Sequence, residues 1–307
     1  MEIFTLLLIK LLPLYAIIAI GYIAGRTLNI EIKSIAALTI YVLTPIVVLG
    51  YMIQMDFKPI YIGIPLVTYF TATTLAFLWL KIAKRIYPDN RATLLTMCSV
   101  RGNAGYFGLP LVIALFPPEL IGIYMFMLMG NIMFGNSVGY FIWMRGNLTV
   151  KDSLIKTLKF PGLAAFIIGL ALNLYGYEID PSTQTYWSYF KGAYIVIGMM
   201  ILGLALSNVK TLTLSWRFIS LAFIGKFVTW PLAAYTLIMI DQNLTTLFTN
   251  DIHQMFFILS IVPTAANVSA FAAQLNIKPE KAATTILLGT ILALVSIPLM
   301  MAASGLF

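Results

Sequence analysis

The segment Cys98–Pro110, CSVRGNAGYFGLP, sets three glycines, a proline, an asparagine and an arginine inside an otherwise apolar run. A lipid-exposed helix cannot be interrupted there, because the freed N–H and C=O groups find no partner in hydrocarbon. Unwound backbone at membrane depth persists only where protein buries it or where it lines a polar cavity. Paired interrupted helices are a mark of secondary transporters. The segment therefore points to a carrier.

The rest of the chain agrees with a membrane location. Of its 307 residues 61% are hydrophobic and 10% charged, against roughly 25% charged in ordinary soluble domains. Apolar segments long enough to span a bilayer, ~20 residues each, fall near 4–25, 32–53, 60–81, 91–115 and 119–143, then near 157–176, 186–208, 217–240, 252–274 and 281–304. The expected class is an all-α polytopic membrane protein with ten transmembrane helices. The longest connection, Arg145–Lys156, has room for a small interfacial helix, so no soluble domain is left for enzymatic work. The net charge of +8 suits cytoplasmic loops on a lipid bilayer, and no nucleic acid partner is expected.

The cations sort by side. Odd-numbered connections hold Arg26, Lys33, Lys81, Lys84, Arg85, Arg91, Arg145, Lys151, Lys156, Lys159, Lys210, Arg217, Lys278 and Lys281. The opposite side has Lys58 and Lys191, with Lys10 if it snorkels outward. The positive-inside rule puts the odd-numbered connections in the cytoplasm and both termini outside the cell (plasma) membrane. Glu2 stands where a signal peptide would carry a basic region, so the first apolar run reads as a span rather than a cleaved leader. Cys98, the only cysteine, excludes an intrachain disulfide and a cysteine-based metal cluster. No metal and no cofactor is expected. Asn147 and Asn243 begin the tripeptide NLT, a pattern common by chance, and the first is predicted to be cytoplasmic.

Ten segments divide into two fives, residues 1–143 and 157–307, joined by 144–156. Leu8-Ile9-Lys10-Leu11-Leu12-Pro13 is echoed by Leu154-Ile155-Lys156-Thr157-Leu158-Lys159-Phe160-Pro161, and both the fourth and ninth segments carry Asn and Pro. The offsets are similar: 148 residues between Pro13 and Pro161, 153 between Pro110 and Pro263. An odd number of spans per repeat inverts the second half, so the fourth and ninth segments run antiparallel through the midplane.

Every acidic residue falls in a connection or at a segment end, whereas Arg101 and Lys226 fall inside spans. Counted from Arg91 and Arg217, they lie about 15 Å and about 13 Å deep at 1.5 Å per residue, near the middle of a ~30 Å core. Asn267 reaches a similar depth. Intramembrane charge costs ~2.5 kcal/mol or more, and half-helix N-termini add partial positive charge. An unpaired positive layer is complemented most simply by an anion such as a carboxylate. Two readings stand for Arg101, a substrate contact or a clamp on freed carbonyls, and two for Lys226, a functional charge or a snorkelling one. Asn103 and Asn267 can satisfy loose backbone, a ligand, or both. Gly102, Gly105 and Gly108 permit unwinding and close crossing, and Pro110 and Pro263 remove donors. Pro45 and Pro231 are expected to kink their helices. Tyr106 is either cavity wall or packing, and His253 reads as a solvated cap.

These residues resemble a known family. Asn103-Ala104-Gly105-Tyr106-Phe107-Gly108-Leu109-Pro110-Leu111 is similar to the fourth-helix signature N-x-G-[FY]-x-G-[LI]-P-L of the auxin efflux carrier family. Pro263-Thr264-Ala265-Ala266-Asn267 is similar to its ninth-helix partner. Leu43-Thr44-Pro45, Gly225-Lys226 with Pro231, and the stretch from Ile197-Gly198 to Leu206 match as well. The resemblance implies two inverted five-helix repeats with crossing helices 4 and 9, related to bile-acid and sodium–proton carriers. It implies a scaffold of helices 1, 2, 6 and 7 and a transport domain of helices 3–5 and 8–10. It further implies dicarboxylates such as malonate and malate, or indole-3-acetate, as substrate, and a homodimer. Plant members carry a long central loop that is lacking here, so the compact bacterial type is implied.

The sequence reading is thus a secondary transporter moving an organic anion by alternating access. The site would comprise Asn103, Asn267, Lys226, Arg101, Gly102, Gly105, Tyr106, Thr264 and Thr44, with Gly108, Pro110 and Pro263 at the breaks. Driving force is left between facilitated diffusion and proton coupling. One alternative is a sodium symporter of a sterol- or amino-acid-like solute, using Thr264, Asn267 and Ser269. Another is a membrane enzyme or a retinal protein with Lys226 as the Schiff base.

Overall fold

The computed structural model describes residues 2–144, 151, 155, 157–209 and 212–307, and among them every named element is helical. Arg145, Asn147, Asp152, Lys156 and Lys210, with most of the connection 144–156 and its expected interfacial helix, lie outside the described residues. In chain order the elements are α1 (Glu2–Thr27), α2 (Ile32–Gln54), α3 (Pro59–Ile86), α4 (Arg91–Val100), α5 (Ala104–Leu115), α6 (Pro118–Trp143), α7 (Pro161–Leu174), α8 (Pro181–Ser207), α9 (Trp216–Thr245), α10 (Asn250–Ile261), α11 (Asn267–Gln274) and α12 (Pro279–Ser304).

Seven of these, α1, α2, α3, α6, α8, α9 and α12, are long and apolar enough to cross a membrane. The other three expected spans look different. The fourth is split into α4 and α5, the ninth into α10 and α11, and the sixth is the 14-residue α7. Leu6, Ile9, Ile23, Phe70, Leu232 and Leu299 are exposed on the outer faces, where lipid rather than water is the fitting solvent. The chain is a multi-pass membrane protein.

Proline sets many of the boundaries. Pro59, Pro118, Pro161, Pro181 and Pro279 each open a helix, where the missing N–H would have had no partner anyway. Asp180 caps α8, its carboxylate accepting the N–H groups of Ser182 and Thr183, each at 3.0 Å. The prolines inside the bundle behave otherwise. A π turn covers Thr39–Leu43, another Ala104–Gly108, another Gly225–Thr229, and each ends two residues before a proline: Pro45, Pro110 and Pro231. The wide turn gives the pyrrolidine ring room that the preceding carbonyl would deny it in an α-helix, and releases a carbonyl that proline could not serve. The bends expected at Pro45 and Pro231 therefore take the form of π turns upstream of them.

Packing links the helices in several pairs, with α1 against α12 and α2 against α6 joining the rest. Helix α8 lies along α1 and touches α2, and α2 lies along α7. Helices α3, α4 and α6 pack together, as do α9 with α4 and α10, and α11 with α12. The α1–α8 crossing is close enough for backbone contact. A Cβ added at Gly203 would fall on the Ile18 carbonyl, and one at Gly21 on the Met200 carbonyl. Small residues are what allow helices to approach this closely in lipid. Gly203→Ala or Gly21→Ala should lower the thermal stability of the purified protein by about 1–3 kcal/mol, the usual cost of overpacking. Gly192→Ala, in the same α8 but with nothing within 4 Å of its added Cβ, should leave the melting temperature unchanged or raised.

Candidate functional site

The two interrupted segments meet backbone to backbone. The N–H of Asn103 donates to the carbonyl of Pro263 at 2.8 Å, and the N–H of Ala265 donates to the carbonyl of Arg101 at 2.9 Å. The pair forms a one-residue antiparallel bridge, Gly102 against Thr264. Other freed carbonyls are met by side chains. Thr264 Oγ1 donates to Cys98 O at 2.8 Å and Trp230 Nε1 to Val100 O at 2.8 Å. Lys226 Nζ donates to Ser260 O at 2.9 Å. The hydroxyls of Tyr124 and Tyr194 donate to Ala104 O and Gly105 O, each at 3.1 Å. Each break removes backbone pairing in a low-dielectric place, and neighbouring groups restore it.

A cavity of about 910 Å³ reaches the crossing. Its floor is Arg101, Gly102, Asn103, Ala104, Gly105 and Tyr106 from the first break and Ala265, Ala266 and Asn267 from the second. Its walls include Thr44 of α2, Leu128, Asn131 and Ile132 of α6, and Tyr194 and Ile201 of α8. Lys33, Asn208, Val209 and Glu280 stand at the mouth, at the start of α2, the end of α8 and the start of α12. A second, smaller cavity of about 480 Å³ lies at the other ends of α2 and α8, beside Gln54, Glu119, Asn173 and Gln184. There Gln184 Nε2 donates to Gln54 Oε1 at 2.8 Å, and Asn173 Nδ2 to the carbonyls of Ile53 and Met55 at 2.7 and 2.8 Å.

The polar groups at the floor are donors in excess of acceptors. Helices α5 and α11 begin at the floor. The N–H groups of Phe107 and Gly108 bond Asn103 O, and those of Val268 and Ser269 bond Ala265 O and Ala266 O. This leaves the leading N–H groups of Ala104, Gly105, Tyr106 and Asn267 without a backbone partner among the described residues. Their positive dipole ends are at the same place. Arg101 spends one N–H of Nη1 on Asn131 O at 3.1 Å, and its guanidinium rests where α6 has Gly135, whose Cβ position it fills. The amides of Asn103 and Asn267 make no side-chain hydrogen bond within the described residues, although Asn103 is only 6% exposed. The Tyr106 hydroxyl is likewise buried without a partner.

Of the residues singled out by sequence, Arg101, Gly102, Asn103, Gly105, Tyr106, Asn267 and Thr44 line this cavity. Thr44 Oγ1 donates to Thr39 O at 2.8 Å across the π turn of α2. Lys226 and Thr264 do not line it. They stand behind the bridge, where they hold carbonyls of the broken ends, and Lys226 is 1% exposed. Gly108 is a contact glycine: the Tyr124 hydroxyl occupies the space a Cβ would need. Pro110 is buried in the first turn after the π turn, and Pro263 supplies the carbonyl of the bridge. Ser269 Oγ donates to Ala266 O at 2.8 Å. His253 is not the solvated cap expected of it. It is buried, with Nε2 2.9 Å from Asp241 Oδ2, because the end of α9 folds over the start of α10. Among the described residues no group of three His, Cys, Asp or Glu gathers as a metal site would require.

Sequence reasoning missed Asn131, Tyr194 and Asn208. Asn131 carried a signal, an amide in the middle of the apolar run MLMGNIMFG, which a tally of charged residues alone passes over.

A family model described as Membrane transport protein matches residues 6–301. An uncharacterized transporter of Methanocaldococcus jannaschii is 26% identical over 183 residues, 58% of this chain, and the chain spans 59% of that relative's length. An uncharacterized transporter of Methanothermobacter thermautotrophicus is 25% identical over 243 residues, covering 77% of this chain and 76% of that one. Both relatives are named as transporters, neither as an enzyme. With a match running through nearly the whole chain and through both crossing motifs, the protein belongs to the Membrane transport protein family, that of the auxin efflux carriers.

Proposed function

We propose that the protein carries an organic carboxylate anion across the membrane by alternating access, binding it at the floor of the large cavity. The observation that carries this reading is the set of unspent donors lining one cavity: the Asn103 and Asn267 amides, the leading N–H groups of Ala104, Gly105, Tyr106 and Asn267, and the Arg101 N–H groups left over from the bond to Asn131 O. Carboxylate oxygens accept such donors, and a charge-assisted bond contributes roughly 1.5–3 kcal/mol. The one carboxylate on the cavity wall, Glu280, stands at the mouth, away from the floor. Lys226 supplies no direct contact in this reading; Arg101 takes the charge.

The bundle is read as ten membrane segments in two inverted five-helix repeats, residues 1–143 and 157–307, with α4/α5 and α10/α11 as the crossing pair. By the resemblance, helices α1, α2, α7 and α8 form the scaffold and the remainder the moving body. The packing of α1 with α8 and of α2 with α7 and α8 supports the scaffold, and α1 against α12 and α2 against α6 are contacts between the two bodies. The positive-inside count supports both termini outside the plasma membrane, and the mouth at Lys33 and Glu280 then faces the cytoplasm. The geometry is an inward-open one, closed on the far side by the packing around Gln54, Asn173 and Gln184. A homodimer through the scaffold is carried over from the resemblance, and the driving force is either facilitated diffusion down the membrane potential or proton symport.

Uptake of labelled malonate, malate and indole-3-acetate into proteoliposomes, with voltage, pH gradient and sodium varied separately, is the test. Saturable, sodium-independent uptake of one of them is expected. Asn103→Ala and Asn267→Ala should each cut that uptake by about tenfold or more, the scale of one lost charge-assisted hydrogen bond, with elution profile and melting curve retained. Wild-type uptake in both variants would overturn the assignment. Arg101→Gln should raise KM for the anion by about tenfold while Arg101→Lys falls between, because lysine keeps the charge but not the fork of donors.

A further inference from the structure

Helix α9 touches both broken segments through two side chains four residues apart. Trp230 Nε1 holds Val100 O, at the end of α4, and Lys226 Nζ holds Ser260 O, at the end of α10. Both acceptors belong to helix C-termini, the negative ends of the half-helix dipoles. Gly102 adjoins the ammonium as well: its ideal Cβ would lie 3.2 Å from Lys226 Nζ. The ammonium sits 5.3 Å from the centre of the Trp230 ring, within cation–π range. Among the described residues no carboxylate pairs with it, since the described salt bridges lie elsewhere.

A buried charge without a counter-ion is retained only where fixed dipoles replace water. Here those dipoles are the carbonyl end of α10, through Ser260 O, and the face of the Trp230 indole. The π turn Gly225–Thr229 turns Lys226 into this spot, and Gly225 lets α9 close on Ser99 of α4, whose side chain stands where a Gly225 Cβ would be.

We infer that Lys226 is a resident monovalent cation of the crossing, a positioning residue that holds the C-terminal end of α10 beside the end of α4 that Trp230 holds. Its site, once emptied, accepts a small free cation. Lys226 does not line the large cavity, although Gly102, which does, adjoins its ammonium. The inference goes beyond the anion-carrier reading and rests on it only for its second readout.

The test uses purified full-length protein with Lys226→Ala and, separately, Lys226→Gln. Melting temperature is followed in choline, sodium, potassium, methylammonium and tetramethylammonium chlorides at equal ionic strength. Lys226→Ala should melt below wild type in choline. Methylammonium, or one of the alkali ions, should raise its melting temperature by about 3 °C or more, the shift that about 1 kcal/mol gives in a chain of this size. Tetramethylammonium, too large for the site, should not, and wild type should respond to none of them. Lys226→Gln, whose amide fills the space, should show the loss without the rescue. As the second readout, anion uptake by Lys226→Ala should become dependent on the rescuing cation. A melting temperature of Lys226→Ala equal to wild type, indifference of that variant to every small cation, or failure of both variants to fold even with methylammonium would each overturn the inference. Restored melting without restored uptake would sustain the cation site while counting against the anion-carrier reading.

Discussion

Two backbone hydrogen bonds, Asn103 N–H to Pro263 O and Ala265 N–H to Arg101 O, make the rest of the structure tenable. Each break strands several peptide groups at membrane depth, and each unsatisfied group there costs several kcal/mol. Neither interrupted segment could exist alone. Their stability is mutual, and Gly102 at the bridge lets the strands of the pair come together without a side chain between them. The second ring of partners, Thr264, Trp230, Lys226, Tyr124 and Tyr194, comes from three other helices and the opposite break, so the crossing also fixes how those helices sit.

The same arrangement separates two electrostatic environments only a few ångströms apart. Helix C-termini collect behind the bridge and are met by cations and donors from α9. Helix N-termini open to the cavity, where the Asn103 and Asn267 amides have no protein acceptor among the described residues. The sidedness follows from chain direction: in each segment the chain enters the break at a C-terminus and leaves at an N-terminus. The cavity side of the crossing thus suits negative charge, and the Lys226 side positive charge.

Much of the site was legible from residue type and axial position. The rise per residue put Arg101, Lys226 and Asn267 at one depth, and all three do reach the crossing. Depth did not say which side of the bridge each would occupy. For Lys226 the reason is specific: it lies in a π turn, which inserts an extra residue into the helical register and rotates everything around it. A 3.6-residue period therefore misjudges its direction. Thr264 misled for a related cause, since extended backbone at the break turns its hydroxyl toward Cys98 rather than the cavity. His253 was unreadable because its partner, Asp241, comes from a turn that only the folded α9–α10 corner brings near.

Composition, charge sidedness and the spacing of proline and glycine by themselves determined that the chain lives in a membrane as a set of helices, and where two of them break. Those features act locally or through the bilayer, so no knowledge of neighbours is needed. The tertiary structure alone decided which polar groups are spent and which are free. Whether the Asn103 amide or the Lys226 ammonium is available to a ligand depends on which carbonyls stand opposite it, and those belong to residues far away in the chain.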